Sequence, residues 1–261
     1  MIKLIDPLKF LAYGIGGSGK SHLLLSALDI PELNPLLVLD FEGRLNAFSD
    51  KFVSINIPDL RTHIPVPNKA THIRLRKWSD FDVLYKTLCN DVAKNKYKTT
   101  ILDSMTAIDR MCQNGIAKNT MADPFNVKPI TQPEFNVLTT HMTWLVDALL
   151  SLGLNILTTA QVIEKENQDT ATSMEVEGLW PLVGGRVNRQ YLTAMMDFVG
   201  FCKMSSSGWE INFTNSTSRY AKFSASDSTK ILGVTFKSSE KKFNLKTILT
   251  ETGILIPEGV N

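Results

Sequence analysis

Short apolar runs recur along the chain with helix-patterned or polar stretches between them. Runs at 10–13 (FLAY), 36–40 (LLVLD), 52–56 (FVSIN), 99–103 (TTILD) and 154–160 (LNILTTA) predict β-strands. Helical patterns fall between several of them, at 20–29, 79–94 and 133–152. This alternation predicts an α/β fold, with a mostly parallel sheet covered by helices.

After residue 190 the texture changes. DFVGFCKM, WEINFTN, RYAKFSA and VTFK are brief strand-like runs separated by Ser, Gly and Asn. Their spacing predicts antiparallel hairpins that extend the sheet rather than a second domain. Residues 238–261 read as a short helix and a loose tail, so one domain is expected over 1–261. Two polar stretches, about 113–132 and about 163–187, are expected as long loops, and loops of that length in a compact domain are usually functional or mobile.

Composition narrows the class only modestly. With 261 residues, 43% hydrophobic and 21% charged, the chain has the profile of an ordinary soluble globular protein. A formal charge of +2 means that any nucleic-acid surface is a local patch and not a global excess. Cys89, Cys112 and Cys202 are odd in number and widely spaced, which suggests neither a disulfide framework nor a zinc site. The opening MIKLIDPLKF interrupts its apolar run with Asp6 and Pro7, unlike a signal peptide, and no apolar segment reaches membrane length. No membrane contact and a cytoplasmic setting are expected.

The sharpest motif is GIGGSGKS at 14–21, which fits the phosphate-binding pattern G-x-x-x-x-G-K-[ST] between a strand and an apolar helical run. The glycines let backbone N–H groups turn inward toward phosphate oxygens at a helix start. The expected nucleotide contacts are Gly14, Ile15, Gly16, Gly17, Ser18, Gly19, Lys20, Ser21 and His22, with ATP as nucleotide. Lys20 would bridge the β- and γ-phosphates, and the Ser21 hydroxyl would ligate Mg²⁺. Asp103, ending the TTILD run, is expected beside that metal. Hydrolysis also needs a base for water, and Asp40 and Glu42 in LDFEG lie two residues apart on the same side of an extended chain. Either acid would polarise the water while the other orients it or caps the next helix. Gln161, after TTA, is placed to sense the γ-phosphate ahead of the second long loop.

These pieces in this order resemble the RecA-like ATPase core, and in particular the short phage-encoded RecA-like proteins of the Sak type. The carrying segments are LAYGIGGSGKSHLLLSA, LLVLDFEGRL, KTTILDSMTAIDRM, LLSLGLNILTTAQVIEKE, WPLVGGRVNRQYLTAMMDFVGF and SRYAKFSA, from about residue 9 to about 225. The resemblance implies Glu42 as hydrolytic base, Asp103 as the metal-associated acid and Gln161 as a polar sensor. It also implies that the loops near 113–132 and 163–187 face single-stranded DNA. Lys118, Lys128, Lys165, Arg186 and Arg189 would meet phosphates there, and Phe125 and Trp180 would stack on bases. The second loop also carries Glu164, Glu166, Asp169, Glu175 and Glu177, which oppose a DNA backbone. Lys222 and Arg219 are the basic residues expected to reach a neighbouring subunit's nucleotide, although the Arg that such proteins carry shortly after the Lys is missing from RYAKFSASD.

The function expected is a Mg-ATP-dependent ATPase of phage recombination or replication. Its expected partners are single-stranded DNA, a single-strand DNA-binding or annealing protein, and further copies of itself. Two rivals use the same loop: a nucleotide-gated scaffold or loader with little hydrolysis, and a small-molecule phosphotransferase. The last is disfavoured because no Arg-rich lid segment is apparent.

Overall fold

The apolar runs meet in one sheet because the central ones, such as FLAY and LLVLD, are buried on both faces, the pattern of a covered, mostly parallel sheet. The computed structural model describes residues 7–89, 96–118, 128–163, 179–206, 208–213, 221–223, 235–238, 244–252 and 254. The strands are β1 (Lys9–Gly14), β2 (Leu36–Asp40), β3 (Phe52–Ser54), β4 (Ala70–Arg74), β5 (Thr99–Asp103), β6 (Asn155–Ala160), β7 (Val162–Ile163), β8 (Trp180–Pro181), β9 (Phe198–Ser205), β10 (Gly208–Asn212), β11 (Lys222–Phe223) and β12 (Thr235–Ser238). The helices are α1 (Lys20–Leu25), α2 (Trp78–Cys89), α3 (Met105–Ile116), α4 (Gln132–Ser151), α5 (Arg186–Met195) and α6 (Leu245–Glu251).

The main sheet runs β12-β10-β9-β1-β6-β5-β2-β4-β3, with β11 also paired to β9. From β9 to β3 every pairing is parallel, while β10 and β11 run antiparallel to β9, and β12 antiparallel to β10. The predicted parallel core with antiparallel strands added late in the chain is therefore what forms. β1 lies between β6 and β9, so the 14–21 loop rises from the middle of the sheet.

Alternate side chains enter two separate cores. Leu11, Tyr13, Leu37 and Leu39 point to the face covered by α2 to α5. Phe10, Ala12, Leu36 and Val38 point to the face covered by α1 and α6.

Differences from the expected elements have local causes. The helix expected over 20–29 is α-helical only to Leu25, and Ser26–Asp29 continues as a 3₁₀ turn, with Pro31 beginning another. There the Asn34 amide donates to the carbonyls of Ala27, Leu28 and Ile30, tying the two 3₁₀ turns together. β4 and α3 were not expected from the pattern. β4 reads ATHIR and carries a histidine and an arginine, while α3 reads MTAIDRMCQNGI and starts at the Ser104 cap. α3 shortens the first expected loop. The second is interrupted by β8 and ends as α5 begins. α4 starts from a capping box in which Thr131 and Glu134 bond reciprocally. Among the described residues no helix is long and apolar enough to cross a membrane.

Candidate nucleotide site

β1 delivers the chain into the loop at Gly14, and only glycine fits there: a Cβ on Gly14 would lie 2.0 Å from the Cys202 carbonyl oxygen on β9. Gly17 and Gly19 take left-handed φ values of +77° and +81°. Cβ atoms at Gly16 and Gly17 would meet nothing within 4 Å, so the loop turns a bare backbone toward open space. Inside the turn, the buried Ser18 hydroxyl donates to the Ile15 carbonyl at 2.8 Å. Gly19 rests against the Trp209 indole from β10, whose nearest carbon is 3.2 Å from a Cβ built on the glycine. His22, one turn into α1, sits between Phe48 and Trp209 with ring centroids 5.8 and 5.9 Å away.

Lys20 folds back over the loop. Its Nζ donates to the carbonyls of Gly14 at 2.9 Å and Ile15 at 2.7 Å, and to the Ser18 hydroxyl at 3.3 Å. Burial pushes the ammonium below its ordinary value, opposed by the nearby Cys202 thiol and the Asp103 and Glu42 carboxylates. Burial also drives the Cys202 thiol up to about 12, so this cysteine is an inert wall of the site.

β5 places Asp103 across from the loop. Its carboxylate accepts hydrogen bonds from Ser21 Oγ at 2.8 Å and Thr159 Oγ1 at 2.5 Å. Burial raises its pKa; the two hydroxyls oppose the shift, while the negative charges of Glu42 and Asp40 add to it. A hydroxyl and a buried carboxylate oxygen 2.8 Å apart form a hard-oxygen donor pair that fits a small divalent cation shared with phosphates.

The two acids of LDFEG have different roles. Asp40 is 2% exposed, and its Oδ1 accepts the backbone N–H groups of Glu42 at 3.0 Å and Gly43 at 2.6 Å. It anchors the turn that presents Glu42. The Glu42 carboxylate reaches into the site: Oε1 accepts from Ser104 Oγ at 2.5 Å and from Gln161 Nε2 at 3.3 Å. Its Oε2 lies 3.7 Å from the Arg44 guanidinium. Gly43 completes the turn at φ +70°, with the Arg74 guanidinium 2.3 Å from where a Cβ would stand.

Gln161 ties the site to the hairpin beyond it. Its backbone N–H donates to Thr106 Oγ1 at 2.9 Å, and the same hydroxyl donates to the Leu182 carbonyl at 2.7 Å. The Leu182 N–H in turn donates to the Gln161 carbonyl at 2.7 Å. This clasp closes the base of the β7–β8 ribbon, where Val162 pairs with Pro181.

Gly14 to His22, Glu42, Asp103 and Gln161 thus gather at one end of the sheet. Reading the sequence alone missed Ser104, Thr106 and Thr159, whose hydroxyls hold Glu42, Gln161 and Asp103. The run DSMT at the end of β5 was the available signal for Ser104 and Thr106, and the TTA that ends β6 for Thr159.

The expected DNA contacts are more scattered. Arg186 is exposed at the start of α5, and Arg189 is half-buried with its Nε donating to the Gly185 carbonyl. Trp180 is half-buried on β8, and Lys118 and Lys128 are exposed. Lys222 lies on β11 opposite Val199. Lys165, Phe125 and Arg219 lie outside the described residues.

Residues 6–230 match the family described as an AAA domain (AAA_24), which covers most of the chain. The protein belongs to this AAA domain family. It is a P-loop ATPase by family, and residues 14–21 lie within the matched range. The comparison with curated proteins finds no match. Among solved structures, the genome packaging NTPase B204 from Sulfolobus turreted icosahedral virus 2, in complex with sulfate, is similar over 77% of each chain at 12% identity and a TM-score of 0.41. That likeness is too distant to add to the assignment.

The burial of Asp103 in this AAA domain yields an expectation that separates stability from function. Asp103→Asn removes a buried charge flanked by two other carboxylates, so the fold should gain about 1 kcal/mol while Mg²⁺-dependent nucleotide binding falls. The sign follows from the raised pKa. Below the ordinary carboxylate range the native Asp103 is protonated and the variant has no advantage. As pH rises from that range to the raised folded-state value, the native protein takes on the cost of the buried charge and the variant's advantage grows, levelling off above that value. Thermal unfolding as a function of pH, alongside Mg²⁺-dependent nucleotide titrations, checks both halves.

Proposed function

We propose that this AAA domain is a RecA-like Mg-ATPase of phage DNA recombination or replication, which couples ATP binding and hydrolysis to single-stranded DNA. The observation that carries the reading is the continuous hydrogen-bonded path from Glu42 through Gln161 and Thr106 to Leu182 at the base of the β7–β8 ribbon. In this reading a group that would meet the reacting phosphate is joined to the segment that would meet DNA.

In this reading the loop N–H groups and Lys20 hold the triphosphate, with Lys20 leaving the Gly14 and Ile15 carbonyls for phosphate oxygens. Ser21 and Asp103 would hold Mg²⁺, which would neutralise charge that develops on the phosphates. Glu42 takes a proton from water as the water oxygen bonds to the γ-phosphorus, and the β–γ bridging oxygen leaves with ADP. Oε1 is engaged by Ser104 and Gln161, so Oε2, with the Arg44 guanidinium 3.7 Å away, is the oxygen that would meet the water. A change of charge at Glu42 would reach the ribbon through Gln161, whose side chain meets Glu42 and whose backbone N–H meets Thr106. Further copies of the chain, with Lys222 and Arg219 toward a neighbour's nucleotide, and a DNA-binding or annealing protein complete the proposed assembly in the host cytoplasm.

The same geometry favours a second reading, in which the chain is a nucleotide-gated scaffold with slow hydrolysis. In that case the bonds from Ser104 and Gln161, with Arg44 close by, keep Glu42 engaged and turnover low. Steady-state ATPase activity with and without single-stranded DNA separates the two. DNA-stimulated turnover supports the coupled ATPase; tight nucleotide binding with turnover indifferent to DNA supports the scaffold.

A further inference from the structure

We propose that His72 is a positioning residue for Glu42, acting through Asp40, and this rests on Glu42 being the hydrolytic base. Both Asp40 Oδ1 bonds go to the turn that carries Glu42. The orientation of that buried carboxylate therefore sets where Glu42 stands. Its second oxygen, Oδ2, faces His72 Nε2 at 3.4 Å. A carboxylate only accepts, so Nε2 carries a proton; in the neutral imidazole Nδ1 then accepts from Ser54 Oγ, 3.0 Å away. The imidazole is also stacked on Phe52, with centroids 4.9 Å apart and planes 15° from parallel.

Three parallel strands make this strut. His72 on β4 lies opposite both Val38 of β2 and Ser54 of β3. Asp40 is two residues beyond Val38, so its side chain emerges on the same face of the sheet as His72. The negative charge of Asp40 is felt at Asp103, and His72 supplies the donor that faces the Asp40 oxygen not bound by the turn. The Arg74 guanidinium packs against Gly43 of the same turn. His72 touches none of the phosphate-loop residues in these contacts, so its effect should fall on the chemical step and not on nucleotide affinity.

The test compares His72→Phe, which keeps the stack on Phe52 but removes the donor, with His72→Gln, whose Nε2–H group reaches a similar place. His72→Phe should lower kcat by about 10-fold with KM for ATP within about 2-fold of native, because small displacements of a reacting group weigh on the transition state. His72→Gln should recover kcat to within about 3-fold of native, since a directed N–H donor is restored. Ser54→Ala, at an exposed position that should not disturb folding, is expected to lower kcat by roughly 2-fold through a less fixed imidazole. Native kcat in His72→Phe, equal losses in Phe and Gln variants, or a loss confined to KM would overturn the inference. Including Glu42→Gln in the series separates the two claims. If Glu42→Gln turns over normally, the base assignment fails and this inference with it; if it is inactive while His72→Phe is native, only the strut fails.

Discussion

Lys20→Ala is expected to remove ATP binding and turnover together. The Lys20 ammonium is the one cation hydrogen-bonded to the loop itself in the described structure, through the Gly14 and Ile15 carbonyls and the Ser18 hydroxyl. Burial already holds its pKa below the ordinary value. A cation kept in partly desolvated surroundings gains more from an arriving phosphate than one in water. Losing it should weaken nucleotide affinity by roughly 100-fold, the scale of a charge-assisted contact to a charged partner. Turnover should fall by about 1000-fold or more, because the same charge acts on the γ-phosphate in the transition state. The fold should hardly change. Removing a desolvated ammonium offsets the three lost hydrogen bonds, so Tm should stay within about 3 °C of native. Nucleotide titration, phosphate release and thermal unfolding on the same protein check all three, and a variant that still binds ATP at native affinity would remove the loop from the account.

Glu42→Gln is expected to split binding from hydrolysis. Glutamine keeps an acceptor oxygen for Ser104 and Gln161, so the local hydrogen bonds can persist. It cannot take a proton from water. Turnover should therefore fall by about 1000-fold, within the range for removing a general base. Nucleotide affinity should be kept or improved, because one of the negative charges beside Asp103 is gone. Rapid-quench hydrolysis alongside equilibrium binding distinguishes this from a general collapse of the site, which would weaken both.

The phosphate loop was legible in the sequence because its function is carried by backbone shape, and backbone shape is encoded in glycine spacing. Gly14, Gly17 and Gly19 sit where a Cβ clash or a left-handed φ demands glycine. The parallel core was legible for a similar reason: strands buried on both faces read as unbroken apolar runs. β4 escaped because His72 and Arg74 break its run, and both contact elements distant in sequence: His72 reaches Asp40, and Arg74 packs on Gly43. Spacing could not divide the work between Asp40 and Glu42, since residues two apart share a face. The division comes from hydrogen bonds, with Asp40 turned back onto the N–H groups of its own turn and Glu42 forward onto Ser104 and Gln161. The hydroxyls of Ser104, Thr106 and Thr159 were hidden because serine and threonine near strand ends are common. What sets these three apart is the partner each meets across the sheet.

The most direct test of the account is to incubate Glu42→Gln with Mg-ATP, isolate the protein and identify the nucleotide that stays bound. The account predicts intact ATP, held by the loop and Lys20 and spared by the missing base. Bound ADP, formed as fast as in the native protein, would contradict it and assign the activation of water to another group.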